Sequence, residues 1–376
     1  MEYIWFGISA LLVVLAGNRL TGYGDTLAVH TKLGHGLVGG ILIAGVTSLP
    51  ELASSITAAL MDAPDIAFGN VYGSNAFNLM ILAIVDLIQG KGSLLQIVRE
   101  SHILTAMFGI LLTGFSVLSI WMTPYGILEI TLGWFSSNSL ILLLLYLFSA
   151  FIMVRYEDKT RTRLDDKNKE TARYKLLSEM EVSDDDQTDS RKSTTMDDIR
   201  AAEEETEEVE MRSPILPKNS LKRAITGFVF AAAVIVAAGI MLSVNADLIA
   251  RNTGLGQTFV GTMLVAGATS LPELVAAIAA IRIGAYDMAV GNVLGSNIFN
   301  ILILVVTDIA YTGGSVYHVV STQHLITAMT AIILSSIAVI GLFYRSKRTI
   351  LMLGWDSVAI LTGYLIMTYA LFKTSM

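Results

Sequence analysis

Two glutamates, Glu51 and Glu273, each sit one residue after a proline inside an otherwise apolar stretch. Thr47, Ser48 and Pro50 lead into the first, and Thr269, Ser270 and Pro272 into the second. A second polar phrase follows each: Gly69-Asn70-Val71-Tyr72-Gly73-Ser74-Asn75-Ala76-Phe77-Asn78, then Gly291-Asn292-Val293-Leu294-Gly295-Ser296-Asn297-Ile298-Phe299-Asn300. Carboxylates, hydroxyls and amide carbonyls are hard oxygen donors. Such a set, without thiolate or imidazole, suits hard cations; Ca²⁺ takes about 6–8 oxygens at roughly 2.3–2.6 Å. The chemistry within reach is the binding and release of cations or protons.

Each glutamate falls near the middle of its apolar stretch. An ionised carboxylate at the centre of a membrane helix costs about 2.5–3.5 kcal/mol or more, so it faces inward and needs a partner. No Lys or Arg occurs at comparable depth in any stretch, so the countercharge must come from outside the chain. Pro50 and Pro272 lack an N–H and clash with the preceding turn, which predicts helix breaks near Thr47 and Thr269. A broken helix frees backbone carbonyls, tolerated at membrane depth only where something fills them. Ser74 and Asn78, with Asn75 between them, share one helix face, as do Ser296 and Asn300 around Asn297. Gly69 with Gly73, and Gly291 with Gly295, form small-residue stripes for close helix approach. Asn70 and Asn292 read equally well as packing residues or as part of the site.

These phrases belong to a duplication. Register holds without insertion from Gly34/Gly256 to Asp86/Asp308, with about half the positions identical. Hydrophobic residues make up 53 % of the chain and charged residues 15 %, far below a soluble protein's share of about a quarter. Spans of about 20 apolar residues are predicted at roughly 3–20, 37–61, 66–89, 101–121, 135–154, 224–250, 257–281, 287–311, 321–343 and 350–372. The N-terminal one, lacking a basic leader, reads as a retained span rather than a signal peptide. The expected fold is therefore an all-α integral membrane protein of ten transmembrane helices. Five spans per half put the second copy into the membrane from the opposite side, giving two inverted-topology five-helix repeats.

The domain organisation follows: a first repeat at 1–155, a charged linker at 156–222, and a second repeat at 223–376. Between Arg155 and Arg223 lie 15 of the 25 basic and 19 of the 32 acidic residues, a composition that predicts a disordered tether. That concentration also accounts for most of the net charge of −7, which points to no nucleic acid. Of the remaining bases, Arg19, Lys32, Lys91, Arg99, Arg282, Arg345, Lys347 and Arg348 fall on one face, and only Arg251 and Lys373 on the other. The positive-inside rule places the first group and the central loop in the cytoplasm, and both termini outside. The location expected is the plasma, or inner cell, membrane.

Other repeated residues read as structural. Asp65 and Asp287 open spans and are expected as helix N-caps. Asp86 with Asp308, and Asp25 with Asp247, sit near span ends and are expected to be solvated at the interface. His102 and His324 also match in register, with no proton role assigned by the sequence. The chain has no cysteine, which excludes disulfides and thiol chemistry. None of the five histidines has the H-E-x-x-H spacing of a membrane metalloprotease, so an enzyme is not expected.

With both phrases in hand, the chain resembles the cation/calcium antiporter superfamily, and within it the sodium/calcium exchangers. The resemblance covers both repeats and leaves out the central segment. It implies a cation site of Thr47, Ser48, Glu51, Ser74 and Asn78 with Thr269, Ser270, Glu273, Ser296 and Asn300, joined by backbone carbonyls near Ala44 and Ala266. Several family members carry an aspartate in one repeat where this chain has Asn78 and Asn300, so this site has two carboxylates rather than three. The function expected is exchange of Ca²⁺ for Na⁺ by alternating access, with a proton-coupled antiporter of the same fold as the alternative and a passive channel behind both. The partners are small inorganic cations and the lipid bilayer. No cofactor is implied, and oligomeric state is left open.

Overall fold

The computed structural model describes residues 1–30, 44–90, 92–126, 130–156, 159, 218–345, 349–350 and 353–375. The structure of the central linker, expected at 156–222, lies mostly outside these residues, as do positions 37–43 of the second predicted span. Long apolar helices dominate, as a chain with few charges and no water to satisfy its backbone requires. In chain order they are α1 (Glu2–His30), α2 (Leu49–Leu60), α3 (Pro64–Gln89), α4 (Ser101–Met122), α5 (Ser137–Tyr156), α6 (Lys218–Thr253), α7 (Gln257–Thr269), α8 (Leu271–Arg282), α9 (Tyr286–Ala310), α10 (His324–Tyr344) and α11 (Trp355–Ser375). Among the described residues eight helices are long and apolar enough to span a bilayer, and α7 with α8 forms a ninth span bent by 41°. The predicted span at 37–61 is described only from residue 44, where one helical turn precedes α2.

The helices are arranged around α3 and α9. These two carry the Gly-Asn-x-x-Gly-Ser-Asn phrases, and 72 % of each span is buried, against 28–44 % for the others. Their apolar side chains build two core clusters with α4 and α10, in which Phe68, Tyr72, Leu79, Ile301 and Leu304 are closed off. The outer helices turn Leu144, Phe148, Phe151, Phe230 and Phe343 outward, an apolar surface that suits lipid. Glycines set the closest approach. A methyl group on Gly73 would meet Thr262 O at 2.5 Å and Ala266 Cβ at 2.7 Å, and one on Gly69 would meet Thr258 O at 2.9 Å. Backbone therefore packs on backbone between α3 and α7, the use predicted for that stripe.

Two short antiparallel hairpins, β1–β2 (Thr131–Leu132, Phe135–Ser136) and β3–β4 (Thr349–Ile350, Leu353–Gly354), depart from an all-helical reading. They explain two aspartates that the sequence suggested were solvated. Asp86 and Asp308 are fully buried. Asp86 accepts from the N–H of Leu94 (2.6 Å) and of Gly354 (2.9 Å), and Asp308 from Val316 (3.0 Å) and Ser136 (2.9 Å). Each carboxylate thus holds its own helix's exit loop and the hairpin of the other half. Asp247 is also buried, bonded to Arg251 and Gln257. The Asp25 side chain lies outside the described residues.

Asp65 and Asp287 are likewise not helix N-caps; those positions belong to Ala63 and Ala285. Asp65 accepts from Ser321 N (2.7 Å) and pairs with His324 Nε2 (2.9 Å). Asp287 accepts from Arg99 N (2.7 Å) and pairs with His102 Nε2 (3.1 Å). Both link the central helix of one half to an outer helix of the other, a relation that one sequence copy cannot reveal.

Filling the Gly73 contact tests the close approach. Gly73→Val is expected to lower unfolding stability by about 1–3 kcal/mol through overpacking, read as a drop in melting temperature in detergent. Gly114→Ala, which faces open space, serves as the control and should leave the midpoint in place.

Candidate functional site

The two prolines act where their chemistry dictates. Helical geometry is interrupted at Ser48 (φ −86°, ψ 10°) and Ser270 (φ −86°, ψ 6°), one residue beyond the predicted positions. New helices begin at Leu49 and Leu271, so Glu51 and Glu273 lie in first turns, where unpaired N–H groups favour negative charge. The matched backbone angles show that the two repeated phrases fold alike.

All ten residues of the predicted set are buried, none more than 1 % exposed. The bonds between them cross from one half to the other. Ser270 Oγ donates to Glu51 Oε1 at 2.9 Å, and Ser48 Oγ to Glu273 Oε1 at 3.4 Å. Ser74 Oγ also reaches Glu51 Oε1, at 3.5 Å. Not every residue behaves alike. Ser296 lies 3.4 Å from Thr47 Oγ1 rather than on Glu273, and Thr269 Oγ1 donates to Asn70 Oδ1 at 3.0 Å. The carbonyls of Ala44 and Ala266 each accept two bonds within their own turn, from Ser48 N and Thr47 Oγ1 and from Ser270 N and Thr269 Oγ1. Thr269 has a single hydroxyl hydrogen, so its contact with the Ala266 carbonyl competes with its bond to Asn70.

Asn75 and Asn297 were not part of the predicted set, and they organise it. Their side-chain amides donate to each other's backbone carbonyls, at 3.2 and 3.3 Å. Their side-chain carbonyls accept from Asn300 Nδ2 (3.1 Å) and Asn78 Nδ2 (3.0 Å). With those nitrogens engaged, the Asn78 and Asn300 oxygens are turned the other way. The signal for this role was present in the sequence as two amides repeated within each phrase, but which amide bonds which depends on α3 meeting α9.

Four buried oxygens of the predicted set have no hydrogen-bond partner among the described residues: Glu51 Oε2, Glu273 Oε2, Asn78 Oδ1 and Asn300 Oδ1. Two come from each half. Buried acceptors are ordinarily satisfied, and an acceptor-only set carrying two formal negative charges fits a hard cation. Among the described residues no cluster of three or more acidic or histidine side chains forms a denser metal site.

These features define a multi-span helical membrane protein with a polar, acidic centre, the class of an ion carrier rather than an enzyme. The profile of sodium/calcium exchanger proteins matches residues 1–155 and 223–373, and the chain belongs to that family. It is 27 % identical over 311 residues to inner membrane protein YrbG of Escherichia coli (strain K12), spanning 82 % of this chain and 79 % of that protein. Its fold is similar to that of the H⁺/Ca²⁺ exchanger CAX, with a TM-score of 0.64 at 14 % identity over 100 % of this chain and 86 % of the other. It is also similar to the sodium-calcium exchanger NCX_Mj, with a TM-score of 0.58 at 18 % identity over 97 % and 96 % of the two chains.

Removing one donor measures how far the hydroxyls organise the carboxylates. Ser270→Ala should weaken cation binding roughly tenfold, the effect of losing about 1.4 kcal/mol from one bond to a charged group. Calorimetric titration with Ca²⁺ reads it, and an unchanged affinity would show that Ser270 does not shape the site.

Proposed function

We propose that the chain is a secondary active antiporter that exchanges Ca²⁺ for Na⁺ by alternating access at the site of Glu51 and Glu273. One observation carries this reading: two buried carboxylates from opposite halves each take a serine hydroxyl from the other half, and each keeps one oxygen without a partner among the described residues. Emptied, such a site holds like charges at low dielectric, where both repulsion and desolvation are large. One Ca²⁺ cancels the charge, and so do two Na⁺. Either load lets the protein close over a neutral site, while the empty site resists closure. Competition for the same carboxylates then yields exchange rather than leak.

The Thr, Ser and Asn residues of the predicted set complete the coordination in this reading. Residues 1–155 and 223–376 act as inverted repeats joined by the charged linker at 156–222. The face bearing Arg99, Arg282 and Arg345 lies in the cytoplasm by the positive-inside rule, with both termini outside. The sodium gradient then drives Ca²⁺ out of the cell.

Reconstitution in liposomes, with Na⁺, K⁺ and H⁺ gradients imposed separately, tests the coupling. Ca²⁺ uptake is expected with an outward Na⁺ gradient. Uptake that follows only a pH gradient, with sodium absent, would assign the same site to proton coupling. Glu51→Gln and Glu273→Gln should each lower exchange by about 100-fold, near 2.7 kcal/mol, with the melting temperature retained. Normal turnover in either variant would remove that glutamate from the site.

A further inference from the structure

The repeated asparagines of α3 and α9 occupy equivalent places and do different things. Asn70 is fully bonded: its Nδ2 donates to the Glu51 carbonyl (3.1 Å) and to Ser55 Oγ (3.0 Å), and its Oδ1 accepts from Thr269 Oγ1. Asn292 is only 5 % exposed, yet neither its Oδ1 nor its Nδ2 has a partner among the described residues. A buried amide with nothing to bond is costly and calls for water or for a partner in another conformation. Asn292 lines a cavity of about 230 Å³ together with Asn18, Pro272, Ala276, Ile283 and Met288. Ile283 and Met288 are exposed at the rim, and Pro272 immediately precedes Glu273. At about 30 Å³ per water the cavity has room for roughly seven.

The asymmetry has a cause in the sequence. Ser54 and Ser243 bond each other across the α2–α6 seam at 2.7 Å, and Ser243 Oγ lies 2.6 Å from the Ser54 carbonyl. Ser55 then serves Asn70. The residues 222 positions later are Ala276 and Ala277, which offer no hydroxyl. The glycine contact is nevertheless preserved: a methyl on Gly239 would meet Ala53 Cβ at 2.9 Å, and one on Gly17 would meet Pro272 Cγ at 2.7 Å. Both seams share a pivot of this kind. Only the first is stitched beyond it by these serines.

We propose that Asn292 is the positioning residue of a gate between α1 and α8, opening the candidate site toward the face that carries Arg282, and that Asn70 is its closed counterpart. When this seam closes, Asn292 takes the bonds that Asn70 makes now, donating to the Glu273 carbonyl and accepting from Thr47. Thr47 is at present held by Ser296 and by the Ala44 carbonyl. Opening replaces those bonds with cavity water and exposes the first turn of α8, where Glu273 lies. The gate rests on the exchange reading only for what passes through it.

Because the chain has no cysteine, single cysteines can report the gate in the full-length protein in liposomes. Ala276→Cys and Ala289→Cys, both lining the cavity, are paired with their counterparts Ser54→Cys and Ala67→Cys. With a membrane-impermeant methanethiosulfonate, the cavity positions should react at least tenfold faster than their counterparts, and only from the Arg282 face. Adding Ala277→Ser to Ala289→Cys gives Asn292 the hydroxyl that Ser55 gives Asn70, and should slow labelling at least threefold with an unchanged melting temperature. Equal rates within both pairs, or no effect of Ala277→Ser, would overturn the gate. If the labelling difference holds while the parent protein moves no Ca²⁺ under any gradient, the exchange reading fails and the gate stands.

Discussion

Two carboxylates sit in the interior of an apolar helical protein, and the partners found for them are hydroxyls rather than bases. Desolvating one such group is expensive and desolvating two together more so. The rest of the centre can be understood as a response to that constraint. Prolines end one helix and start another just before each glutamate, so that the carboxylates meet helix N-termini. Serines reach over from the opposite half. Asparagines spend their nitrogens on one another, which leaves their oxygens where a cation would need them. None of these features stabilises a protein on its own account. Together they gather buried acceptor oxygens from both halves at the centre of the chain.

The second theme is exchange of partners between halves. Ser48 serves Glu273 and Ser270 serves Glu51. His324 pairs with Asp65 and His102 with Asp287. Asp86 and Asp308 each anchor the hairpin that belongs to the other half. Buried polar bonds of this kind cost most when one partner is lost, so neither half completes its polar interior alone. The α3–α9 core is bonded through Asn75 and Asn297, whereas the seams around it depend on glycine contacts and a few hydroxyls.

Symmetry is also broken in a defined way. Ser74 reaches Glu51, but Ser296 pairs with Thr47 instead of Glu273. Asn70 is bonded at both side-chain atoms, and Asn292 has no partner among the described residues. A duplicated sequence can fold into two unlike halves because the residues packed around equivalent positions differ, as Ser54 and Ser55 differ from Ala276 and Ala277. The serine-to-alanine differences at 54/276 and 55/277 remove the hydroxyls that Asn70 and Ser243 use in the first half.

The sequence by itself determined what could be paid for locally: apolar spans, proline breaks within a residue of their place, and the burial of the ten polar residues that recur in register. Periodicity and composition carry such features because the bilayer penalises every unsatisfied charge or backbone group wherever it lies. It also gave the reason for the α3 glycines. Tertiary structure decided the pairings. Asp65, Asp86, Asp287 and Asp308 looked like caps or solvated ends, since their partners lie in loops and hairpins as many as 268 residues away. The roles of Asn75 and Asn297, and the contrast between Asn70 and Asn292, depend on how two nearly identical segments approach each other. Identical residues carry no local signal of which copy will be bonded and which left open; only their packed surroundings make that choice.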